Sequence, residues 1–383
     1  MYDVIVIGSG VAGSAAAYKL AEAGKNILVL EKELLPRYKT CGGGVISKVG
    51  ELLPYKIDPV VECKLYKSDI YDHANNLHFL IERDIPIINM TMREEFDYFM
   101  LSKAVSIGTE IKADKEVIDV IGKQEYVEVI TPSENFRSKF VIAADGATGI
   151  TTRKLGIQTK VKRIPAIEHE VIIEQNQLEK LNKTARFDFG LVPNGYAWVF
   201  PKKEHLSIGL LTMNKPGINL HQYLKKYYVI LGITKVISEE RHGYVIPLYS
   251  KLNKFVYGRI IIAGDTAGLS DPITAEGISY AITSGIHAAS AIINGQGNKK
   301  GVGRIYEAEI QKTLNELKYA RYLAFFIYKS SVLRSFVFKM YGEKLSNLMT
   351  DVITGKVKYS ELLKNPVNYL KLFKLPAFSR NPR

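Results

Sequence analysis

A strand, a glycine-rich turn and a helix open the chain, and no other feature narrows its fold so far. Tyr2-Asp-Val-Ile-Val-Ile-Gly8 is an apolar run of the kind that forms a strand buried on both faces. It passes into Gly8-Ser9-Gly10-Val11-Ala12-Gly13, then a helical pattern over Ser14 to Ala23 closed by Gly24, then a second strand, Asn26 to Leu30, ending at Glu31 and Lys32. A G-x-G-x-x-G standing alone is weak evidence. Between a strand and a helix, with an acidic residue about twenty positions on, it predicts a dinucleotide site. Gly8 permits the tight turn, Gly10 lets a pyrophosphate approach the backbone, and Gly13 lets the helix lie close on the sheet. Unpaired N–H groups at the helix N-terminus, around Ala12, face the phosphates. Glu31, with Lys32 beside it, is placed to accept hydrogen bonds from a ribose diol.

The fingerprint accounts for one domain, and at roughly 100 to 200 residues per domain the 383 residues leave room for a second. With 46% hydrophobic and 24% charged residues, the chain is neither disordered, collagenous nor a coiled coil. Cys41 and Cys63 cannot make a disulfide framework, which points to a reducing compartment. Val4 to Ile7 follow no basic stretch and read as a strand, not a signal peptide. Gly277 to Asn298, the longest uncharged run, is dotted with Ser, Thr, His and Gly and reads as a buried helix, not a transmembrane span. A cytoplasmic protein is expected. The formal charge of +13 favours anionic lipid, a pyrophosphate-bearing substrate or an acidic protein. With no recognisable nucleic-acid module, nucleic acid is not an expected partner.

The fingerprint does not separate NAD from FAD. Ile260-Ile-Ile-Ala-Gly264-Asp265-Thr266-Ala267-Gly268 repeats the strand-then-turn format, and Asp271-Pro272 leads through Ala275-Glu276-Gly277-Ile278 into another helix. This segment resembles the Gly-Asp signature of large flavoproteins, in which the aspartate holds the ribityl chain and the following helix N-terminus, here Gly277 and Ile278, faces the isoalloxazine. Phe140-Val-Ile-Ala-Ala-Asp145-Gly146, with Arg153 downstream, is similar to the Asp-Gly motif of the p-hydroxybenzoate hydroxylase-like group, and Arg93 sits where that group carries an arginine near the flavin. These resemblances imply FAD. Only one G-x-G-x-x-G is present, so the electron donor, NAD(P)H or a reduced ferredoxin, is expected to bind transiently, and the basic charge would suit an acidic ferredoxin.

Two further segments resemble one family more specifically. Pro36-Arg-Tyr-Lys-Thr-Cys41-Gly42-Gly43-Gly44 and Tyr196-Ala-Trp198-Val-Phe200-Pro201 look like the Pro-x(4)-Cys-Gly loop and the Tyr-x-Trp-x-Phe-Pro strand of the geranylgeranyl reductase family, over residues 1 to 295. The family's aromatic motif continues to a Gly-x-Gly, of which Ser207-Ile-Gly209-Leu-Leu211 keeps one glycine, a departure that bears on cavity shape more than on chemistry. The resemblance implies reduction of isolated double bonds in prenyl chains by reduced FAD, in membrane-lipid biosynthesis. An isolated alkene is a poor hydride acceptor, so hydride delivery to one carbon needs a proton at the other, and the transition state carries carbocation character. Aromatic faces at Tyr196, Trp198 and Phe200 would stabilise it by about 1 to 2 kcal/mol per well-placed ring. Alternation places all three on one face of a strand, as it does in any ordinary core; the resemblance favours a cavity wall, with Gly44 and Pro272 completing it. Cys41 is read either as a small apolar residue in a tight loop or as a thiol that relays the proton or positions the alkene, and the resemblance favours the second. Gly42 and Gly43 let the loop approach the ring system. Cys63 lies in no motif and reads as structural, and the seven histidines show no metal-ligand spacing.

The fold expected is α/β: a discontinuous Rossmann-type FAD-binding domain (1–64, 91–160 and 251–300), an antiparallel β-sheet substrate domain (65–90 and 161–250) and a C-terminal helical region (301–383). Strands are expected at Ala166 to Ile173, Ala185 to Val192, Tyr196 to Phe200 and Leu206 to Thr212. In the tail, Tyr322 to Tyr328 and Val332 to Tyr341 mix large apolar residues with Lys329, Arg334 and Lys339, and after Glu361 only basic charges remain, at Lys364, Lys371, Lys374, Arg380 and Arg383. The pattern fits either an interfacial segment attached peripherally to the inner face of a membrane or a helical cap on the FAD domain. The prenyl substrate could be a diphosphate, an ether lipid, a quinone or a chlorophyll side chain, with the ether lipid ranked first. Two other functions fit the same motifs: a flavin monooxygenase or halogenase acting on an aromatic ring, and a flavin-bound assembly or electron-transfer protein. Halogenases carry a Trp-x-Trp-x-Ile-Pro strand where this chain has Tyr196 to Pro201, and a lysine near the fingerprint that Lys19 does not match.

Overall fold

The computed structural model describes residues 1–157, 160–213 and 217–364; Lys371, Lys374, Arg380 and Arg383 of the basic tail lie outside them. The opening strand is Tyr2–Ile7 and the helix behind the turn is Val11–Glu22. Val4, Ile5 and Val6 have no exposed surface, because the strand is hydrogen-bonded in parallel to Ile27–Leu30 on one side and to Asn135–Ala143 on the other. Each such side chain contributes about 1.5 to 3 kcal/mol by leaving water. Glu110–Lys112 and Ile260–Ile262 extend this parallel core outward. Strands far apart in the chain thus form one sheet, and the Gly8 and Gly264 turns leave the same end of it.

Close helix packing brings those two turns together. The Val11–Glu22 helix is nearly all Ala, Gly and Ser on its inner side and crosses the Ile278–Asn294 helix. A Cβ on Gly285 would lie 2.1 Å from the Ala12 carbonyl oxygen, one on Gly13 would lie 2.0 Å from the Gly8 carbonyl oxygen, and one on Gly264 would lie 2.9 Å from the Ala12 Cβ. Ala12 is therefore the packing point of the crossing.

A second sheet of seven strands runs Val236–Ser250, Val161–Ile173, Leu206–Thr212, Gly195–Pro201, Ala185–Phe189, Lys67–Asp72 and Leu77–Glu82 from edge to edge. It differs from the antiparallel expectation at one joint. Lys67–Asp72 pairs in parallel with Ala185–Phe189, because its hairpin is contributed by a much earlier stretch of chain and reaches the sheet without a turn linking the two strands. Ile88–Met90 leaves this sheet altogether and pairs with Gly44–Ile46 and Cys63–Leu65. One face of the large sheet packs on the Leu220–Ile230 helix through Val171, Ile208, Leu210 and Leu224. The other face bears Tyr196, Trp198 and Leu211 and looks towards the first sheet.

The C-terminal helices, Lys299–Lys329, Ser331–Ile353 and Tyr359–Lys364, close the space between the sheets. Three tyrosines anchor them: Tyr306 donates to the Ile262 carbonyl at 2.7 Å, Tyr328 to the Ile273 carbonyl, and Tyr359 to Asp271 Oδ2 at 2.7 Å. Arg334, read from sequence as part of a basic surface, is buried 3.9 Å from Asp72. It lies one helical turn before buried Phe338 and so shares its inward face. Among the described residues no helix is long and apolar enough to cross a membrane.

Gly285→Ala should lower stability by about 1 to 3 kcal/mol through overpacking, against a helix-propensity gain of about 1 kcal/mol, whereas Gly50→Ala, which meets open space, should leave it unchanged or slightly raised. Urea midpoints of the two variants read this directly. Equal midpoints would mean that the helices separate at no cost.

Candidate active site

At the nucleotide end, Glu31 is buried and accepts from the Ser9 backbone N–H at 2.9 Å, the Ser9 hydroxyl at 2.7 Å and the Glu33 N–H at 3.2 Å, with Arg37 Nε 3.4 Å away. Burial alone would raise its carboxyl; the Arg37 charge and the Ser9 donors outweigh that and hold it below the usual carboxylate range. It is an ionised acceptor, suited to a ribose diol. The helix N-terminus at Gly10 has no side-chain cap and no acidic residue in its first turn, so its N–H groups remain available to an anion. A Cβ on Gly10 would point at Arg37 Nη2, 3.4 Å off. The crevice between this helix end and the Arg37 guanidinium has the donors a pyrophosphate requires.

The second turn faces the same crevice. Asp265 lies 3.5 Å from Lys39 Nζ and accepts from the Tyr244 hydroxyl at 3.2 Å, and Gly264 donates to Ser284 Oγ at 2.9 Å. Gly277 begins the Ile278–Asn294 helix without a side-chain cap. Two sequence candidates occupy other places. Asp145 is turned inward, accepting from the Thr151 N–H at 2.8 Å and Thr266 Oγ1 at 3.1 Å, while the Gly146 N–H donates to the same hydroxyl at 2.9 Å. This pair couples the Asn135–Ala143 strand to the Gly264 turn. Lys32 is on the surface, 3.2 Å from Glu33.

Between the two sheets lies a cavity of about 1300 Å³ counted to its open mouth, lined among others by Cys41, Gly42, Gly43, Gly44, Arg93 and Gly277. Tyr196, Trp198 and Phe200 line it as a stripe, with ring centroids 5.9 and 6.2 Å apart. The one glycine kept from the Gly-x-Gly has a direct reason: a Cβ on Gly209 would lie 2.1 Å from Trp198 Cζ2, so the indole lies flat across it. On the other side, a Cβ on Gly42 would lie 2.7 Å from Phe200 Cδ2 and 3.2 Å from Trp198 Nε1, and one on Gly43 would lie 2.0 Å from the Thr91 carbonyl oxygen. Buried Lys202 donates to that same carbonyl at 2.6 Å, and Thr91 bonds to the Gly43 carbonyl through N–H at 3.0 Å and hydroxyl at 3.1 Å. The glycine loop is pinned on the aromatic stripe.

Cys41 sits at the start of this loop, with the buried Arg93 guanidinium reaching its sulfur. Arg93 is itself held by Asp97 at 2.8 and 3.0 Å. Cys63 faces away, its thiol donating to the Pro201 carbonyl at 3.2 Å and pushed up to about 11 by burial. Pro272 is buried outside the cavity lining; its neighbour Asp271 lines it instead, bonded to the Ile273 and Thr274 N–H groups. Sequence reading passed over Arg37, Lys39, Lys202, Tyr244 and Glu168, all of which bear on the site. Glu168 shares its strand with Lys162, Arg163, His169 and Glu170, so nothing in the local sequence sets it apart.

Comparison with known proteins fits this arrangement. A family model of FAD dependent oxidoreductases matches residues 3–53. An uncharacterized protein of Methanosarcina barkeri is 35% identical over 85% of this chain and 84% of its own length. The digeranylgeranylglycerophospholipid reductase of Methanocella arvoryzae is 29% identical over 82% of this chain and 84% of its own. Among solved structures, a geranylgeranyl bacteriochlorophyll reductase-like protein of Thermoplasma acidophilum matches with a TM-score of 0.73 at 20% identity, over 97% of this chain and 95% of that one. Halogenase PltM in complex with phloroglucinol and FAD matches with a TM-score of 0.74 at 19% identity, over 96% and 85%. The two structures speak for the fold alone. The cofactor is FAD.

FAD added to the stripped protein should quench the emission of Trp198, the chain's sole tryptophan, and Glu31→Gln should weaken FAD binding at least about tenfold, or about 1.4 kcal/mol. A fluorescence titration measures both, and an unchanged affinity would remove Glu31 from the nucleotide site.

Proposed function

The chain belongs to the geranylgeranyl reductase family of FAD-dependent oxidoreductases, and we propose that it saturates isolated double bonds of geranylgeranyl chains in membrane-lipid biosynthesis. The observation that carries this reading is the pinned glycine loop packed against the rings of Trp198 and Phe200, which with Tyr196 form an aromatic stripe along the cavity. Reduced FAD supplies the hydride equivalent. The protein's own residues do the rest: the rings of Tyr196, Trp198 and Phe200 align the chain, exclude water and stabilise developing positive charge. Cys41 positions the alkene or relays its proton, with the Arg93 guanidinium beside it. Tyr196 keeps its own proton, since burial raises its hydroxyl far above the ordinary range and the Thr274 carbonyl accepts from it. An archaeal ether lipid is the substrate class the reading ranks first, ahead of a diphosphate, and a reduced ferredoxin or NAD(P)H supplies electrons.

A bilayer-borne substrate fits the surface. Tyr322, Phe325, Phe326, Val332, Phe336 and Met340 are each about half exposed or more, around the junction of two helices, with Lys329 and Lys339 exposed beside them. We place the protein in the cytoplasm, resting on the inner face of the membrane through this patch.

One observation favours the halogenase or monooxygenase reading. Lys19 is exposed and paired with Glu22, but Lys48 lines the cavity with its ammonium 4.6 Å from the Tyr280 ring. The readings separate in anaerobic incubation of dithionite-reduced protein with geranylgeranyl diphosphate and with geranylgeranylated ether lipid. Added hydrogen pairs in the product mass support the reductase. No gain in mass without oxygen, with turnover of an aromatic substrate when oxygen and halide are present, supports the other.

Cys41→Ala should keep FAD and still be reduced by dithionite, yet reduce prenyl chains at least about tenfold more slowly, a barrier rise of about 1.4 kcal/mol. Cys41→Ser should fall between, and Cys63→Ala should turn over normally; equal rates in all three would remove Cys41 from the chemistry.

Vesicles of anionic lipid should sediment the protein, less so as salt rises, because charge contacts are screened beyond about 10 Å at 0.1 M. Replacing Phe325 and Phe336 by Asp should lower that binding at least about tenfold without moving the melting midpoint. Vesicle binding unaffected by the pair would clear the patch of that role.

A further inference from the structure

Glu168 is an acid in the cavity wall beside the aromatic stripe. It occupies the strand Val161–Ile173, opposite Gly209, which in turn lies opposite Trp198. With no side chain on Gly209, the carboxyl and the indole are neighbours on one face of the sheet. Glu168 is 2% exposed and lines the cavity. One oxygen accepts from the Ser207 hydroxyl, and the Cys41 backbone N–H approaches the group. Its Oε2 makes no hydrogen bond within the protein, nor does Trp198 Nε1. An ionised carboxylate left in this state would be costly, whereas a carboxylic acid uses its own O–H.

A series of titratable groups leads from Glu168 to solvent. Glu170, two residues on and on the same face, has its Oε2 3.0 Å from His205 Nε2, and that histidine is partly exposed. The Tyr38 hydroxyl lies within the field of Glu168, Glu170, Glu240 and Cys41, and its ring stacks on His242 at 4.2 Å. His242 lies opposite Glu168 in the neighbouring strand and is 3.6 Å from Glu240, which is 76% exposed. Lys202 is the cation that faces the group, and Arg93 stands behind Cys41.

We propose that Glu168 holds the proton delivered to the cavity, and that Glu170, His205 and His242 return it from water. This rests on the prenyl-reduction reading. In each cycle one alkene carbon receives a hydride from reduced FAD, and the other receives a proton. Glu168 passes from carboxylic acid to carboxylate as that proton leaves, either directly or through the Cys41 thiol, and a proton from water restores it. Burial, then the charge of Glu170, pushes the Glu168 carboxyl up to about 7, against Ser207, Lys202 and the Cys41 N–H. A group that must be protonated to act loses its working form as pH rises, so turnover falls above about pH 7.

The test uses the full-length FAD-loaded protein and Glu168→Gln, which retains an acceptor for Ser207. Infrared titration without any prenyl substrate should show a carboxylic-acid C=O band that disappears as pH rises through about 7, and Glu168→Gln should lack it. With geranylgeranyl diphosphate or ether lipid, Glu168→Gln should keep its flavin spectrum and dithionite reduction, turn over at least about tenfold more slowly, and lose the high-pH decline, and Glu168→Asp should recover part of the rate. Ser207→Ala, a second variant should Gln misfold, should shift the band and raise its midpoint. No band difference between wild type and Glu168→Gln, or full turnover of Glu168→Gln with an unchanged pH profile, overturns the proposal. Wild type that reduces no prenyl chain overturns the functional reading instead, while the infrared titration still decides whether Glu168 holds a proton there.

Discussion

The backbone at Gly42 approaches Phe200 and Trp198, and that at Gly43 approaches Thr91 and Lys202, so closely that no side chain fits between them, and the cavity takes its shape from those contacts. Lys202 and Thr91 grip the loop from behind. Gly209 makes the matching concession on the sheet side, letting the Trp198 ring lie flat. Any Cβ at these three positions would push either the loop or the indole into the space a substrate needs. The same economy of side chains brings the two nucleotide turns together, where Gly285 meets the Ala12 carbonyl.

Electrostatics at the site follows burial more than the chain's net charge. Although the formal charge is +13, the cavity lining includes four acids, Glu168, Asp265, Asp271 and Glu276, beside Lys39, Lys48 and Arg93. Asp271 and Glu276 are pushed up by burial, so this region favours neutral acids over exposed anions. Glu31 stays ionised because Arg37 and Ser9 face it. The two ends of the site therefore differ: at the nucleotide end a buried carboxyl stays ionised, and in the cavity burial raises the carboxyls of Asp271 and Glu276.

Local sequence carried the parts of this that are local. The strand, turn and helix of the first thirty residues, and the strands at Gly195–Pro201 and Leu206–Thr212, follow from periodicity and glycine placement. What was not legible depends on contacts between distant segments. Arg37 reaches Glu31 and Asp97 only because its loop folds back over the helix end. Pro272 is displaced from the lining by the turn that Asp271 makes. The parallel joint at Lys67–Asp72 and the burial of Arg334 against Asp72 both require knowing where an early hairpin docks. Cys41 and Cys63 carry equal weight in a composition, and only the fold sets one against Arg93 and turns the other to the Pro201 carbonyl.

We propose that this cavity brings an isolated alkene, and not oxygen, to the reduced cofactor. The most direct measurement is the visible absorbance of the dithionite-reduced, FAD-loaded protein after anaerobic mixing with a geranylgeranylated ether lipid. The flavin should return to its oxidised spectrum without oxygen, one flavin for each double bond lost. A flavin that stays reduced with prenyl lipid and reoxidises only when oxygen is admitted would contradict it.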